Sequence, residues 1–203
     1  MPAINVDMMF VIDTSASMTP CLDALRKHLN ELIQPSQGYV SNMRFGFVAM
    51  SASAAFIFED TYALKFLSSE GQSALNSLYA KNANDTISHN EFFTDDTQQF
   101  TTALAGLRTG INEDMLVALD IAADMPYGPL SNTKRVIALF SDEPFEGGIK
   151  GKGNNQRIPE IIEKLQQRHI QLFVAIPDSD AVQQLSTADR SEIELVDGGN
   201  API

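Results

Sequence analysis

A single cysteine, Cys21, stands in the 203 residues. No intrachain disulfide can form, and a thiolate metal site lacks its ligands. Basic residues are scarce too: 14 Lys and Arg face 26 Asp and Glu, for a formal charge of −12 and a pI near 4.5. Binding to nucleic acid or to an anionic membrane surface needs clustered cations, so both are disfavoured, whereas cations are welcome. No apolar run approaches the length of a membrane span, and the opening MPAINVDMMF lacks the basic-then-apolar order of a secretory signal. A soluble, cytoplasmic protein is expected. At 44% apolar and 20% charged residues, the composition fits one globular domain over residues 1–203 rather than a disordered chain.

What is present alternates between two kinds of apolar pattern. Met8 to Ile12, Met43 to Met50, Arg135 to Phe140 and Gln171 to Ile176 are short runs apolar on both faces, which predict buried strands. Leu22, Leu25, Leu29, Leu32 and Ile33 recur at helical spacing, as do Ile158, Ile161, Ile162 and Leu165. Helices are also predicted from Leu64 to Tyr79, from Gln98 to Leu107 behind a cap at Asp96 or Thr97, from Glu113 to Met125, and from Ser179 to Leu185. Ala54 to Phe58 follows the second strand closely enough to be its antiparallel partner at a sheet edge, and Glu192 to Val196 reads as a last edge strand. Turn formers mark Pro35 to Gly38, while Lys81 to Asp96 is a long polar connection. Such alternation predicts an α/β fold: a Rossmann-like, three-layer arrangement with a mostly parallel sheet, one antiparallel edge strand and helices on both faces. Loops that follow parallel strands then share one edge of the sheet, where ligands bind.

Asp13-Thr14-Ser15-Ala16-Ser17 occupies the first of those loops. Alternate residues of an extended loop point the same way, so the oxygens of Asp13, Ser15 and Ser17 can converge on a hard cation. These residue types are also the preferred caps of helix amino termini, and the pentapeptide alone leaves both readings open. Asp142, in Ser141-Asp142-Glu143-Pro144, ends another parallel strand and supplies a matching carboxylate at the same edge. Mg²⁺ takes six oxygens and keeps much of its water, so it is commonly held by only one or two carboxylates.

These residues resemble the von Willebrand factor A (VWA) family, whose metal-ion-dependent adhesion site uses a D-x-S-x-S loop, here Asp13-x-Ser15-x-Ser17 after the strand MMFVID. The resemblance covers nearly the whole chain in element order. It implies a Thr from a second loop, at Thr109 in Leu107-Arg108-Thr109-Gly110, with Asn112 or Glu113 as alternatives for that loop, and an Asp from a third, at Asp142. It further implies a Mg²⁺ site (or Mn²⁺ or Ca²⁺) whose open position takes an Asp or Glu from a partner protein, without enzymatic turnover. Bacterial members that stand alone often accompany kinases, phosphatases or ATPases, which extends the expectation to scaffolding.

Enzyme readings find less support. A phosphoryl hydrolase using Asp13 is the alternative, yet Ser15 stands where the second acid of a D-x-D motif belongs. Neither Ser15 nor Ser141 lies in a G-x-S-x-G elbow, and His28, His89 and His169 read as surface residues. No phosphate-binding glycine motif follows the first strand, and Gly147 to Gly153, with Lys150 and Lys152, reads as a loop at the rim of the metal face.

Overall fold

The apolar runs become the strands of one seven-stranded sheet, ordered β4-β3-β2-β1-β5-β6-β7, in a computed structural model. The structure describes residues 4–33, 40–51, 54–57, 60–65, 92–107, 115–144 and 157–195. The strands are β1 (Asn5–Asp13), β2 (Asn42–Ser51), β3 (Ala54–Ile57), β4 (Asp60–Lys65), β5 (Thr133–Phe140), β6 (Ile170–Ile176) and β7 (Ser191–Leu195). Between them stand helices α1 (Thr19–Ile33), α2 (Thr97–Ala105), α3 (Met115–Asp124), α4 (Ile158–Gln167) and α5 (Asp180–Leu185).

β2, β1, β5, β6 and β7 run parallel, as expected for the first four, which are apolar on both faces, while β7 is the polar edge strand. The antiparallel edge strand is corrected. β3 does pair antiparallel with β2, but β4 pairs with β3 and covers it, so the edge runs in the sense of the parallel set. β4 also contains Leu64, where a helix was expected to begin. The rest of that predicted helix, the turn at Pro35, the polar connection up to residue 91 and the Gly-rich loop lie outside the described residues.

Residue parity along β1 divides the core. Met9 and Val11 face a cluster built on α3, α4 and α5, while Phe10 and Ile12 face α1 and α2. On the second side Phe100 of α2 sits 5.5 Å from Phe10, 5.7 Å from Phe45 and 5.9 Å from Phe47, ring centre to ring centre. Burial of each such ring contributes about 1.5–3 kcal/mol. The α2 helix begins where Asp96 Oδ1 accepts hydrogen bonds from Gln98 N and Gln99 N, which settles its cap on Asp96. Ile158, Ile161 and Leu165 form the buried stripe of α4.

Gly46 of β2 is required by a close approach. The segment at Phe92–Thr94 crosses β2, with Phe45 and Thr94 exchanging backbone hydrogen bonds of 2.7 and 2.8 Å. A Cβ on Gly46 would stand 2.1 Å from the Phe92 carbonyl oxygen. Gly46→Ala is therefore expected to cost on the order of 1–3 kcal/mol, read as a lower urea midpoint at unchanged slope.

A buried ion pair sits toward the other end of the sheet. Asp7 of β1 and Arg44 of β2 are register partners. Arg44 donates from Nε to Asp7 Oδ1 at 2.7 Å and from a terminal nitrogen to Oδ2 at 2.6 Å, and Gly128 N also donates to Oδ2 at 2.6 Å. The guanidinium lies 5.1 Å from the centre of the Phe93 ring.

Candidate metal centre

Strand order decides which loops meet. β1 lies between β2 and β5, so the chain leaves β1 toward one side for β2 and later returns on the other for β5. The loops that follow β1 and β5 diverge at this switch point, which opens a crevice at the carboxyl edge. Ile12 is paired with Phe140, so the next residues on each strand, Asp13 and Ser141, emerge side by side.

The carboxylate of Asp13 is fully buried and held on both oxygens. Oδ1 accepts from the backbone N–H of Ser15 at 2.6 Å, and Oδ2 accepts from Ser141 Oγ at 2.7 Å. Ser141 Oγ is also tied to the Glu143 backbone, accepting from its N–H at 3.1 Å and lying 3.0 Å from its carbonyl oxygen. Thr14 anchors the loop to β2, its hydroxyl donating to the Met50 carbonyl at 2.7 Å.

The Ser15 hydroxyl turns inward rather than capping, and Ser17 stands at the exposed rim beside it. Ser15 precedes the short turn Ala16–Met18, yet its side chain makes no capping bond. Its Oγ lies 2.9 Å from Ser17 Oγ and 3.4 Å from Asp142 Oδ1. Thus Asp13, Ser15, Ser17 and Asp142 stand in one connected group. Thr109, Asn112 and Glu113 lie outside the described residues. The cap reading survives only for Asp13, whose bond to Ser15 N–H is a local turn contact.

Among the described residues the group is short of positive charge. Asp13 and Asp142 are both buried, and neither meets a Lys or Arg among the described residues. Burial pushes the Asp13 carboxyl above its ordinary range; the bonds from Ser15 N–H, Ser141 and Ser15 oppose that, and Asp142 adds to it. Cys21 feels the same field: burial first, then Asp142 and Asp13, push its thiol up to about 11. Cys21 is therefore expected to stay unmodified by an aromatic disulfide reagent at pH 7.5 and to react once urea unfolds the chain, a difference read by absorbance.

Among the described residues no three His, Cys, Asp or Glu side chains gather as metal ligands, so a cation here would draw on hydroxyl oxygens as well as carboxylates. Two carboxylates and two hydroxyls suit Mg²⁺ or another hard cation in kind and charge. Ser141 was not anticipated as part of the group. Its only signal in the sequence is its place between the apolar run of β5 and Asp142. As for the histidines, His28 Nδ1 lies 2.6 Å from Glu31 Oε2 and His169 is an exposed residue beyond α4; neither is bonded to Ser15 or Ser141.

The VWA domain of SpRpn10, known from a crystal structure, superposes with a TM-score of 0.62 at 10% sequence identity, over 97% of this chain and 89% of that one. The fold is that of a VWA domain. No protein-family model and no curated protein matches the sequence. At 10% identity the likeness to the SpRpn10 VWA domain speaks for architecture, not for ligands. Among the described residues, no helix of this VWA fold is long and apolar enough to cross a membrane.

Proposed function

We propose that residues 1–203 form one VWA domain that binds a partner protein through a divalent cation. The observation that carries this reading is the pair Asp13 and Asp142, buried beside Ser15 and Ser17 with no basic residue bonded to either among the described residues. Two buried carboxylates in one crevice need a cation or a proton. Asp13, Ser15, Ser17 and Asp142 would hold Mg²⁺, or Mn²⁺ or Ca²⁺, and Thr109 is proposed as a further ligand. The ion supplies a positive centre through which a protein of net charge −12 accepts an Asp or Glu from its partner.

The role is recognition rather than turnover, and scaffolding of a bacterial multiprotein system in the cytoplasm is its proposed setting. The residues of this chain would orient the site: Ser141 and the Ser15 N–H fix the rotamer of Asp13, and Thr14 ties the loop to β2. Affinity purification with and without a chelator tests the reading, with p-nitrophenyl phosphate hydrolysis as the competing assay. A partner retained only with Mg²⁺ and lost in Asp142→Asn is expected. Phosphate release that disappears in Asp13→Asn selects the hydrolase instead.

A further inference from the structure

Parallel sheets are stable when helices cover both faces. One face here carries α3, α4 and α5, while on the other the apolar cluster under α1 and α2 ends at Phe140 of β5. No described helix reaches β6 or β7 on that side. A groove of about 350 Å³ lies there, floored by Phe140, Phe173 and Ala175 and walled by Glu192 and Glu194 of β7. The three floor residues are half-buried and the two glutamates are exposed. Three strands spaced about 4.8 Å apart make a floor roughly 10 Å across, the width of one α-helix.

Charge indicates what kind of helix fits. On the opposite side Asp120 pairs with Arg157 and Lys164, and Asp124 with Lys164 and Arg168. Asp23 has Arg26, and Asp7 has Arg44. Glu192 and Glu194 have no cationic partner among the described residues, although the apolar floor beside them draws an occupant close. We propose that this groove docks a basic amphipathic helix of a partner protein, its apolar stripe on Phe140, Phe173 and Ala175 and its Lys or Arg residues on Glu192 and Glu194. Helix-in-groove recognition of this kind takes its affinity from the apolar face and its selectivity from the charged rim. The proposal stands independently of any metal at Asp13.

The probe is a labelled 18-residue helical peptide with Leu along one face and Lys along both flanks, titrated with the full chain by fluorescence anisotropy. Saturable 1:1 binding is expected. Glu192→Lys with Glu194→Lys is expected to weaken it at least tenfold, and Ala175→Trp, which fills the groove, by a similar factor. Glu160→Lys with Glu163→Lys makes the same charge change on the outer side of α4 and is expected to alter binding less than twofold. If Ala175→Trp fails to fold, the two charge-reversal pairs still decide, because all four glutamates are exposed. Equal loss in both pairs would overturn the proposal, since the overall acidic field alone would then explain binding. Absence of binding to the wild-type chain would overturn it as well, as would a wild-type dimer in sedimentation that Ala175→Trp dissociates.

Discussion

Mg²⁺ at one hundred times its dissociation constant is expected to stabilise the wild-type protein by about 2.7 kcal/mol at pH 7.5. For a chain of this size that is a rise in melting temperature of roughly 5–10 °C. Asp13→Asn is expected to lose the rise. The same substitution is expected to leave the metal-free protein at least as stable as wild type at that pH, and the reason is the sign of the Asp13 shift. Its carboxyl titrates higher in the folded chain than at the ordinary 3.8, chiefly through burial. The folded state therefore holds the proton more tightly than the unfolded state does. The stability this gives is fully present below the unfolded pKa and is lost as pH rises through the folded one. At neutral pH the buried carboxylate is thus a net cost that Asn does not bear, while Asn can still accept from the Ser15 N–H. Cation binding offsets that cost in wild type, so the Mg²⁺ effect is expected to shrink on acidification, as protons compete for the same oxygens. Differential scanning fluorimetry over pH 4–8, with Mg²⁺ and with chelator, reads all of these differences. A destabilised Asp13→Asn with an unchanged Mg²⁺ response would make Asp13 a structural turn residue.

Arg44→Met is expected to lower the free energy of unfolding by about 3–5 kcal/mol, a large share of the stability of an ordinary domain. Asp7 is 1% exposed, and without the guanidinium the Gly128 N–H is its one described hydrogen bond left, with Arg135 of β5 acting on it only through space. An uncompensated buried carboxylate is the main part of that cost. Replacing both charges, as in Asp7→Leu with Arg44→Met, is expected to regain at least half of the loss, because no unpaired carboxylate is then left at that position, although Gly128 N–H loses its acceptor. Lys164→Met provides the contrast. Lys164 bridges Asp120 and Asp124 between α3 and α4 in a partly solvated setting, where such pairs contribute about 1 kcal/mol or less. Urea denaturation of the four proteins measures the ranking, and an Arg44→Met cost no larger than that of Lys164→Met would contradict it. Asp7 belongs to the start of β1 and Asp13 to its end, so the Mg²⁺ response is expected to survive Arg44→Met.

The parallel strands were legible because burial on both faces leaves an unbroken apolar run, as in MMFVI, FGFVAM and RVIALF. The α4 stripe was legible because Ile158, Ile161 and Leu165 keep one face of a 3.6-residue period. β4 was missed for the converse reason. Leu64 and Leu67 fall three residues apart and imitate a helix start, although Thr61 and Tyr62 before them favour a strand. The second antiparallel pairing, which takes β3 off the edge, leaves no periodic mark at all.

At the candidate site, the convergence of Asp13, Ser15, Ser17 and Asp142 followed from topology: loops after adjacent parallel strands share an edge. Ser141 did not follow, because a Ser before Asp reads as turn chemistry and nothing local fixes which way its hydroxyl points. The Asp7–Arg44 pair is separated by 36 intervening residues and forms only through strand register. Its trace in the sequence was a lone charge inside each of two apolar strands. Thr109 lies outside the described residues, so its place as a ligand rests on resemblance to the VWA pattern.

Anomalous diffraction from crystals soaked in Mn²⁺ tests the metal reading most directly. A single strong peak bounded by the Asp13 and Asp142 carboxylates, Ser15 Oγ and Ser17 Oγ is the expected result. Saturating Mn²⁺ with no density in that crevice, or with peaks only at surface carboxylates elsewhere, would contradict it.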